Sequence, residues 1–266
     1  MKIRAFLAKH PVFTRAELEA ALGADYSTGR NASNARLAHH VRAGHVVPIQ
    51  RGLYASIPAG TDPASFVPDP WLVAAKLADD SVIAYHSAFQ FHGRSYSVSN
   101  AYMFLSGRAV RPKEYRGCRF RRVAYPKALQ GAAERQFAVE TVDRQGLDIR
   151  VASLERSLVD VLDRPDLGGG WEEIWRSAES VEYYDIRQVV DYVLLLQNAT
   201  TAAKVGFYLQ QHRKQLPLDD RQLARLRLAR PRQPHYMEPG ARGHLVADWN
   251  LIVPETILAR GWEAEP

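Results

Sequence analysis

Residues 30–54 read RNASNARLAHHVRAGHVVPIQRGLY, and this stretch combines a helical pattern with a hairpin pattern. Its first half predicts a helix from about Ala32 to Ala43, because Leu37 and Val41 lie four residues apart and would share the buried side, with Ala38 beside them. Its second half predicts a β-hairpin. The parts of that hairpin are short strands at residues 45–49 and 53–55 and a tight turn at Gln50-Arg51-Gly52.

Two shorter helices are predicted before this stretch. The first contains apolar residues at helical spacing and ends at Pro11. The second begins with Thr14 and Glu17, whose spacing predicts a capping box, and it ends at Gly23. Three short helices followed by a hairpin with a basic turn predict a winged helix-turn-helix domain over residues 1–60.

A proline-rich segment at about residues 58–70 predicts a linker to a second domain. The following residues, 61–266, mix helical and strand patterns, so the whole chain is expected to be α+β, with a larger mixed C-terminal domain. The predicted helices are 71–78, 86–91, 154–162, 171–180, 186–197, 202–214 and 219–228. The predicted strands are 101–105, 119–124, 137–142, 147–151 and 244–249.

The net charge of +6 is unevenly distributed. Residues 1–60 carry eight Lys and Arg against three Asp and Glu, residues 105–127 eight against one, and residues 204–232 eight against two. Residues 128–203 reverse the balance, with fourteen acidic and seven basic side chains. Separate basic segments favour a polyanionic partner such as nucleic acid. The alternative is that the segments neutralise one another within the fold.

The sequence predicts a cytoplasmic protein with no membrane partner. Cys118 is the only cysteine, which excludes an internal disulfide and suits a reducing compartment. The N-terminal residues lack the pattern of a signal peptide, and no apolar run is long enough to span a bilayer.

The predicted third helix and the hairpin carry the candidate DNA contacts. Arg and Asn side chains pair with base edges in the major groove, and recognition helices make most base contacts from their N-terminal part. A basic hairpin tip suits a phosphate or the minor groove. An ordinary solvated helix face is the alternative reading of the same residues. The predicted DNA-binding residues are Arg30, Asn31, Ser33, Asn34, Arg36 and His39 in the helix and Gln50 and Arg51 in the hairpin.

The sequence offers no pattern typical of an enzyme. No lysine follows an Asp or Glu by two positions, as a restriction-type nuclease would require, and neither a P-loop nor a Gly-x-Ser-x-Gly elbow occurs. His86 and His92 are six residues apart and are interpreted as packing residues or helix caps rather than metal ligands. Asp160 and its acidic neighbours are interpreted as solvated helix charges. We therefore expect no catalytic residue, no metal and no cofactor.

Three stretches resemble the AbiEi family, the antitoxin and transcriptional-regulator half of type IV toxin–antitoxin and phage-defence operons. They are spread over roughly residues 13–170, and the remaining third of the chain is similar only in general character. The stretches are the N-terminal unit ending GHVVPIQRGLY at Tyr54, the segment AYHSAFQFHG at residues 84–93, and the segment ASLERSLVD at residues 152–160, which runs on to Gly168.

The resemblance implies a sequence-specific DNA-binding repressor whose winged helix binds inverted repeats in its own promoter. It implies a C-terminal domain that supports repression and neutralises a toxin, with a nucleotidyltransferase-like toxin as the partner. A dimer on DNA is one option for the oligomeric state. The long segment after Gly170 departs from the family pattern, so a stand-alone regulator stays open beside an antitoxin.

Two other functions remain as alternatives. The chain could be a protein-interaction antitoxin that neutralises a toxin by direct contact through the acidic segment 128–203. It could also be a nuclease that uses the winged helix to reach DNA, although the missing pattern of carboxylates and lysine argues against this.

Overall fold

The computed structural model describes residues 3–23, 30–129, 131–260 and 262, apart from the side chains of residues 30–34 and 132. Helices and short β-sheets alternate along the chain, which confirms the α+β class. The chain forms two compact units. The first unit comprises Met1–Ile83, Asn100–Val123 and Thr141–Arg150, and the second comprises Ala84–Ser99, Ala124–Glu140 and Val151–Pro266. The sequence-based division into domains 1–60 and 61–266 stays a prediction.

The first unit begins with three helices and a small antiparallel sheet of strand order β1-β3-β2. Strand β1 was not expected, because it has only three residues and exists through its pairing with β3, some forty positions later. The elements are α1 (Ile3–Lys9), β1 (Val12–Thr14), α2 (Arg15–Leu22), α3 (Arg30–Arg42), β2 (Val46–Gln50) and β3 (Leu53–Ser56).

Local sequence signals account for much of this arrangement. The capping box is confirmed: Thr14 Oγ1 accepts a hydrogen bond from the Glu17 backbone N–H at 3.2 Å, and Glu17 Oε2 accepts one from the Thr14 N–H at 2.7 Å. Leu37 is buried and Val41 packs against the same core, as predicted. The prediction that Ala38 lies beside them was wrong, because the next helical position turns by about 100° and Ala38 is exposed. The core residues are Phe6, Phe13, Leu18, Leu22, Leu37 and Val46.

The proline-rich segment leads into the rest of the first unit. Residues 57–69 contain no helix or strand, and Asp69 then caps α4 (Pro70–Lys76) by accepting from the Trp71 N–H at 2.9 Å. A six-stranded sheet follows, of order β6-β7-β5-β4-β9-β8. Its strands are β4 (Val82–Ile83), β5 (Ala101–Leu105), β6 (Lys113–Tyr115), β7 (Cys118–Val123), β8 (Val139–Arg144) and β9 (Leu147–Ala152).

The second unit is mainly helical and carries a small sheet of order β10-β12-β11. Helix α10 begins three residues before its predicted start, because the Asn198 side chain accepts from the backbone N–H groups of Thr200 and Thr201 and caps the helix there. The helices are α5 (His86–Phe91), α6 (Ala132–Arg135), α7 (Leu154–Asp163), α8 (Trp171–Glu179), α9 (Ile186–Leu196), α10 (Ala199–Gln211), α11 (Asp220–Ala229) and α12 (Glu255–Leu258). The strands are β10 (His235–Tyr236), β11 (Gly243–Val246) and β12 (Leu251–Pro254).

Two of the three stretches that resemble the AbiEi family, residues 84–93 and 152–160, form part of the interior of the second unit. His86 is buried, with its Nε2 3.0 Å from Glu173 Oε1. His92 is the C-cap residue of α5, and its Nε2 lies 2.9 Å from the Ala152 carbonyl oxygen, so the two histidines have the packing and capping roles predicted for them. The interpretation of Asp160 as a solvated charge was wrong. Its side chain is buried and accepts a hydrogen bond from the Tyr192 hydroxyl at 2.7 Å. Helical periodicity does not show that α9 covers the side of α7 that carries Asp160, so the burial of this polar side chain could not be predicted.

Within the described residues, no helix is long and apolar enough to cross a membrane. The same residues contain no group of three or more His, Cys, Asp or Glu side chains arranged to hold a metal ion.

Candidate nucleic-acid interface

Helix α3 presents its basic face away from the core. Leu37 is 4% exposed and anchors one side of the helix, whereas Arg36 and His39 are exposed on the other. Arg42 is also exposed, and its Nε donates to the Ala38 carbonyl oxygen at 3.4 Å, within the same helix. The structure therefore places Arg36 and His39 where a partner can reach them.

Four predicted contact residues belong to the first turns of α3, but their side chains lie outside the described part of the chain. Their predicted contacts stay predictions. These residues are Arg30, Asn31, Ser33 and Asn34.

The hairpin exposes a single arginine at its tip. Gln50 is half-buried at the end of β2, and Arg51 is exposed in the two-residue turn that joins Gln50 to its cross-strand partner Leu53. Gly52 has φ +86°, a left-handed conformation that a glycine adopts without steric cost. Of the two predicted hairpin contacts, Arg51 is the more accessible.

The hairpin tip is fixed to the start of α2. The Arg15 backbone N–H donates to the Gly52 carbonyl oxygen at 2.9 Å, next to the β1–β3 pair formed by Thr14 and Leu53. Glu17, whose carboxylate completes the capping box, also bonds Lys76 of α4. Burial raises the pKa of Glu17, but these hydrogen bonds and the lysine charge outweigh it and leave the pKa below its usual range. Arg51 therefore projects from a turn that is hydrogen-bonded to the start of α2.

A histidine cluster lies at the C-terminal end of α3. His40 Nδ1 is 3.3 Å from His45 Nδ1, and the ring centroids of His39 and His40 are 5.5 Å apart. Burial of His40, together with the charges of His45, His39 and Arg4, lowers the pKa of His40. Sequence reasoning named His39 alone as a DNA contact and expected the adjacent His40 to diverge from it, although three histidines within seven residues were a signal for the whole cluster.

Comparison with known proteins gives a family match for part of the chain and similarity to solved structures. Residues 1–57 match the family described as transcriptional regulator, AbiEi antitoxin. The other two stretches that resemble the family, at residues 84–93 and from residue 152 onwards, lie outside the matched segment. No curated protein matches the sequence. A crystal structure of the RV2827C protein from Mycobacterium tuberculosis is similar with a TM-score of 0.62 and 16% sequence identity, over 98% of this chain and 93% of that chain. At that identity the likeness shows the fold alone.

Proposed function

We propose that residues 1–57, which match the family described as transcriptional regulator, AbiEi antitoxin, form a winged helix-turn-helix that binds duplex DNA. In this proposal α3 is the recognition helix, the β2–β3 hairpin is the wing, and the protein represses its own operon at inverted repeats. The chain acts without catalysis, as a cytoplasmic regulator.

One observation carries the proposal. Within the family-matched segment, the core side of α3 is apolar at Leu37, and the opposite side exposes Arg36 and His39. The adjoining hairpin exposes Arg51. A helix that offers basic side chains to the major groove, with a basic hairpin beside it, is the arrangement by which winged helices contact DNA.

Binding to duplex DNA is expected to weaken steeply as salt rises. Each phosphate that Lys or Arg neutralises contributes about 0.9 to the slope of log K against log salt, so several contacts should give a slope steeper than about −3. The measurement is a titration of the full chain against the DNA directly upstream of its gene, at several salt concentrations. A flat response, or no binding, would contradict the DNA-binding proposal.

Replacing Arg36 and Arg51 one at a time should separate base contacts from phosphate contacts. Arg36→Ala should weaken binding to the upstream DNA by about 1–3 kcal/mol and have little effect on scrambled duplex. Arg51→Ala should weaken both by similar factors and lower the salt slope by about 1. Binding curves on both duplexes give the answer, with Arg187→Ala as the matched control, since Arg187 is exposed in α9 of the other unit.

Equal losses on the two duplexes for Arg36→Ala would show that α3 does not contact bases. Thermal melting of each variant checks the fold, and no large shift is expected, because both side chains are exposed.

The antitoxin role is proposed from the family, with a nucleotidyltransferase-like toxin as the partner. The acidic segment 128–203 gives little support to direct neutralisation through its charges, because many of its carboxylates are bonded within the second unit. Glu173 binds His86, Glu179 binds His212 and Arg260, and Asp191 binds Arg225. Co-purification of the protein with the product of the neighbouring gene tests this part of the proposal.

A further inference from the structure

The most basic part of the first unit outside residues 1–60 lies on β6, β7 and the loop that precedes them. Its arginines divide into two groups. One group is engaged in the fold: Arg122 Nε donates to the Ser106 carbonyl oxygen at 2.9 Å, and Arg108 pairs with Asp79 at 2.9 Å. Arg116 likewise donates to the carbonyl oxygens of Pro63 and Ala64.

The second group is exposed and has no such role. Arg111, Arg119 and Arg121 are exposed, and within the described part of the chain their guanidinium groups make no hydrogen bond or ion pair. Glu114, the single acidic residue of the 105–127 segment, is the cross-strand neighbour of Arg119, but the two side chains form no ion pair among the described contacts. These three arginines are here called the β7 arginine strip.

The geometry of β7 keeps two members of the strip on one side of the sheet. Arg119 and Arg121 are two residues apart on a strand, so their side chains share a face at a backbone separation of about 7 Å. Phe120 between them points to the other face and stacks on Tyr102. Each guanidinium can therefore bind a separate anionic group.

The strip is linked to the C-terminal end of α3 within the first unit. Gly44, just after α3, lies so close to Pro63 that a Cβ atom on it would come within 3.0 Å of the proline ring. The Pro63 carbonyl accepts from Arg116 Nη2 at 2.9 Å, and Arg116 forms the β6–β7 turn with Gly117. Both turn residues have positive φ, at 49° and 77°, as in the tight turns of type I′ hairpins. A short, tight hairpin thus ties the start of β7 to the segment that follows α3.

We propose that the β7 arginine strip is a second DNA-contacting surface, which binds phosphates flanking the bases reached by α3. The inference rests on the proposed DNA-binding function and adds a second set of contacts to it. Helix α3 has 13 residues and is therefore about 20 Å long, or about six base pairs of duplex. In this proposal the strip, which is tied to the segment after the C-terminal end of α3, holds phosphates outside the base pairs that the N-terminal turns of α3 read.

The test compares two duplexes from the DNA upstream of the gene. The short duplex covers only the segment that the strip variant still protects, and the long duplex extends it by about ten base pairs at each end. The protein variant is Arg119→Gln/Arg121→Gln in the full chain. The control is Arg187→Gln/Arg221→Gln, which removes the same charge from exposed positions of the second unit.

On the long duplex, the strip variant should have a salt slope lower than wild type by about 2, because two phosphate contacts are lost. Between 50 and 200 mM salt, wild type should then lose on the order of tenfold more affinity than the variant. On the short duplex the variant and wild type should behave alike, and the control should match wild type on both.

The inference is overturned if the strip variant keeps the wild-type slope on the long duplex, or if it loses binding to the neighbouring gene's product instead of to DNA. A wild-type protein that binds neither duplex overturns the proposed function as well, so the two failures are distinguishable. Equal thermal melting of the variant and wild type establishes that the strand is intact.

Discussion

Replacing Arg156 with methionine is expected to lower the free energy of unfolding by about 3–5 kcal/mol, because it leaves a buried carboxylate without its cation. Arg156 is 0% exposed, and its Nη1 donates to the carbonyl oxygens of Arg135 and Phe137 at 2.9 and 2.8 Å. Its Nε lies 3.6 Å from Asp160 Oδ2, and the guanidinium carbon lies 5.2 Å from the centroid of the Tyr192 ring. Methionine supplies similar bulk but satisfies none of these partners.

Urea unfolding followed by tryptophan fluorescence measures the effect, since the buried Trp175 and Trp249 belong to the same unit. Arg187→Met is the matched control, and no more than about 0.5 kcal/mol is expected from that exposed site. The double variant Arg156→Met/Asp160→Asn should recover part of the loss, because it no longer buries an unpaired charge. A single variant as stable as wild type would show that the buried pair does not stabilise the second unit.

The ion pair of Arg156 and Asp160 also determines how the loss in the free energy of unfolding depends on pH. Burial raises the pKa of Asp160 to about 6, although Arg156 and Tyr192 oppose the shift. A carboxyl group whose pKa is higher in the folded state destabilises the fold when ionised, and this cost decreases as the pH falls below the folded-state pKa and is gone below the unfolded-state pKa. The loss caused by Arg156→Met should therefore be smaller at pH 5 than at pH 7.

Leu37→Ala is expected to destabilise the N-terminal elements by about 2–5 kcal/mol, which is the usual cost of removing a buried leucine side chain. Among the described side chains of α3, Leu37 lies fully within the core that contains Phe6, Phe13 and Leu18. A small group of helices and a three-stranded sheet has little surplus stability, so the loss should open the whole group. The expected result is also a loss of DNA binding, through unfolding rather than through a missing contact.

Amide hydrogen exchange, resolved by peptide, measures this effect. Peptides from residues 30–56 should lose protection in the Leu37→Ala variant, whereas peptides from α7 and α9 should keep theirs. Leu228→Ala is the control, because Leu228 is 90% exposed and its removal creates no cavity. Unchanged protection of residues 30–56 would mean that α3 is rotated relative to the arrangement described above.

Interactions within a few residues made the N-terminal elements predictable. The Thr14–Glu17 capping box, the Leu37–Val41 spacing and the Arg51-Gly52 turn each depend on residues one to four positions apart. Their patterns can therefore be recognised in the sequence, and the family match of residues 1–57 confirms the N-terminal part of the resemblance. The exposure of Arg36 and His39 followed from the same spacing.

Contacts between distant segments could be found only in the tertiary structure. Asp160 belongs to the interior because Tyr192 of α9 packs over it, and β1 is a strand because it pairs with β3. The sequence showed that residues 105–127 are basic. Only the tertiary structure shows which of their arginines bond to other parts of the fold and which are exposed to solvent. Charge and local periodicity can be read directly from the sequence. The burial of a side chain and its hydrogen-bond partners depend on which distant segments pack against it, and only the folded chain determines that.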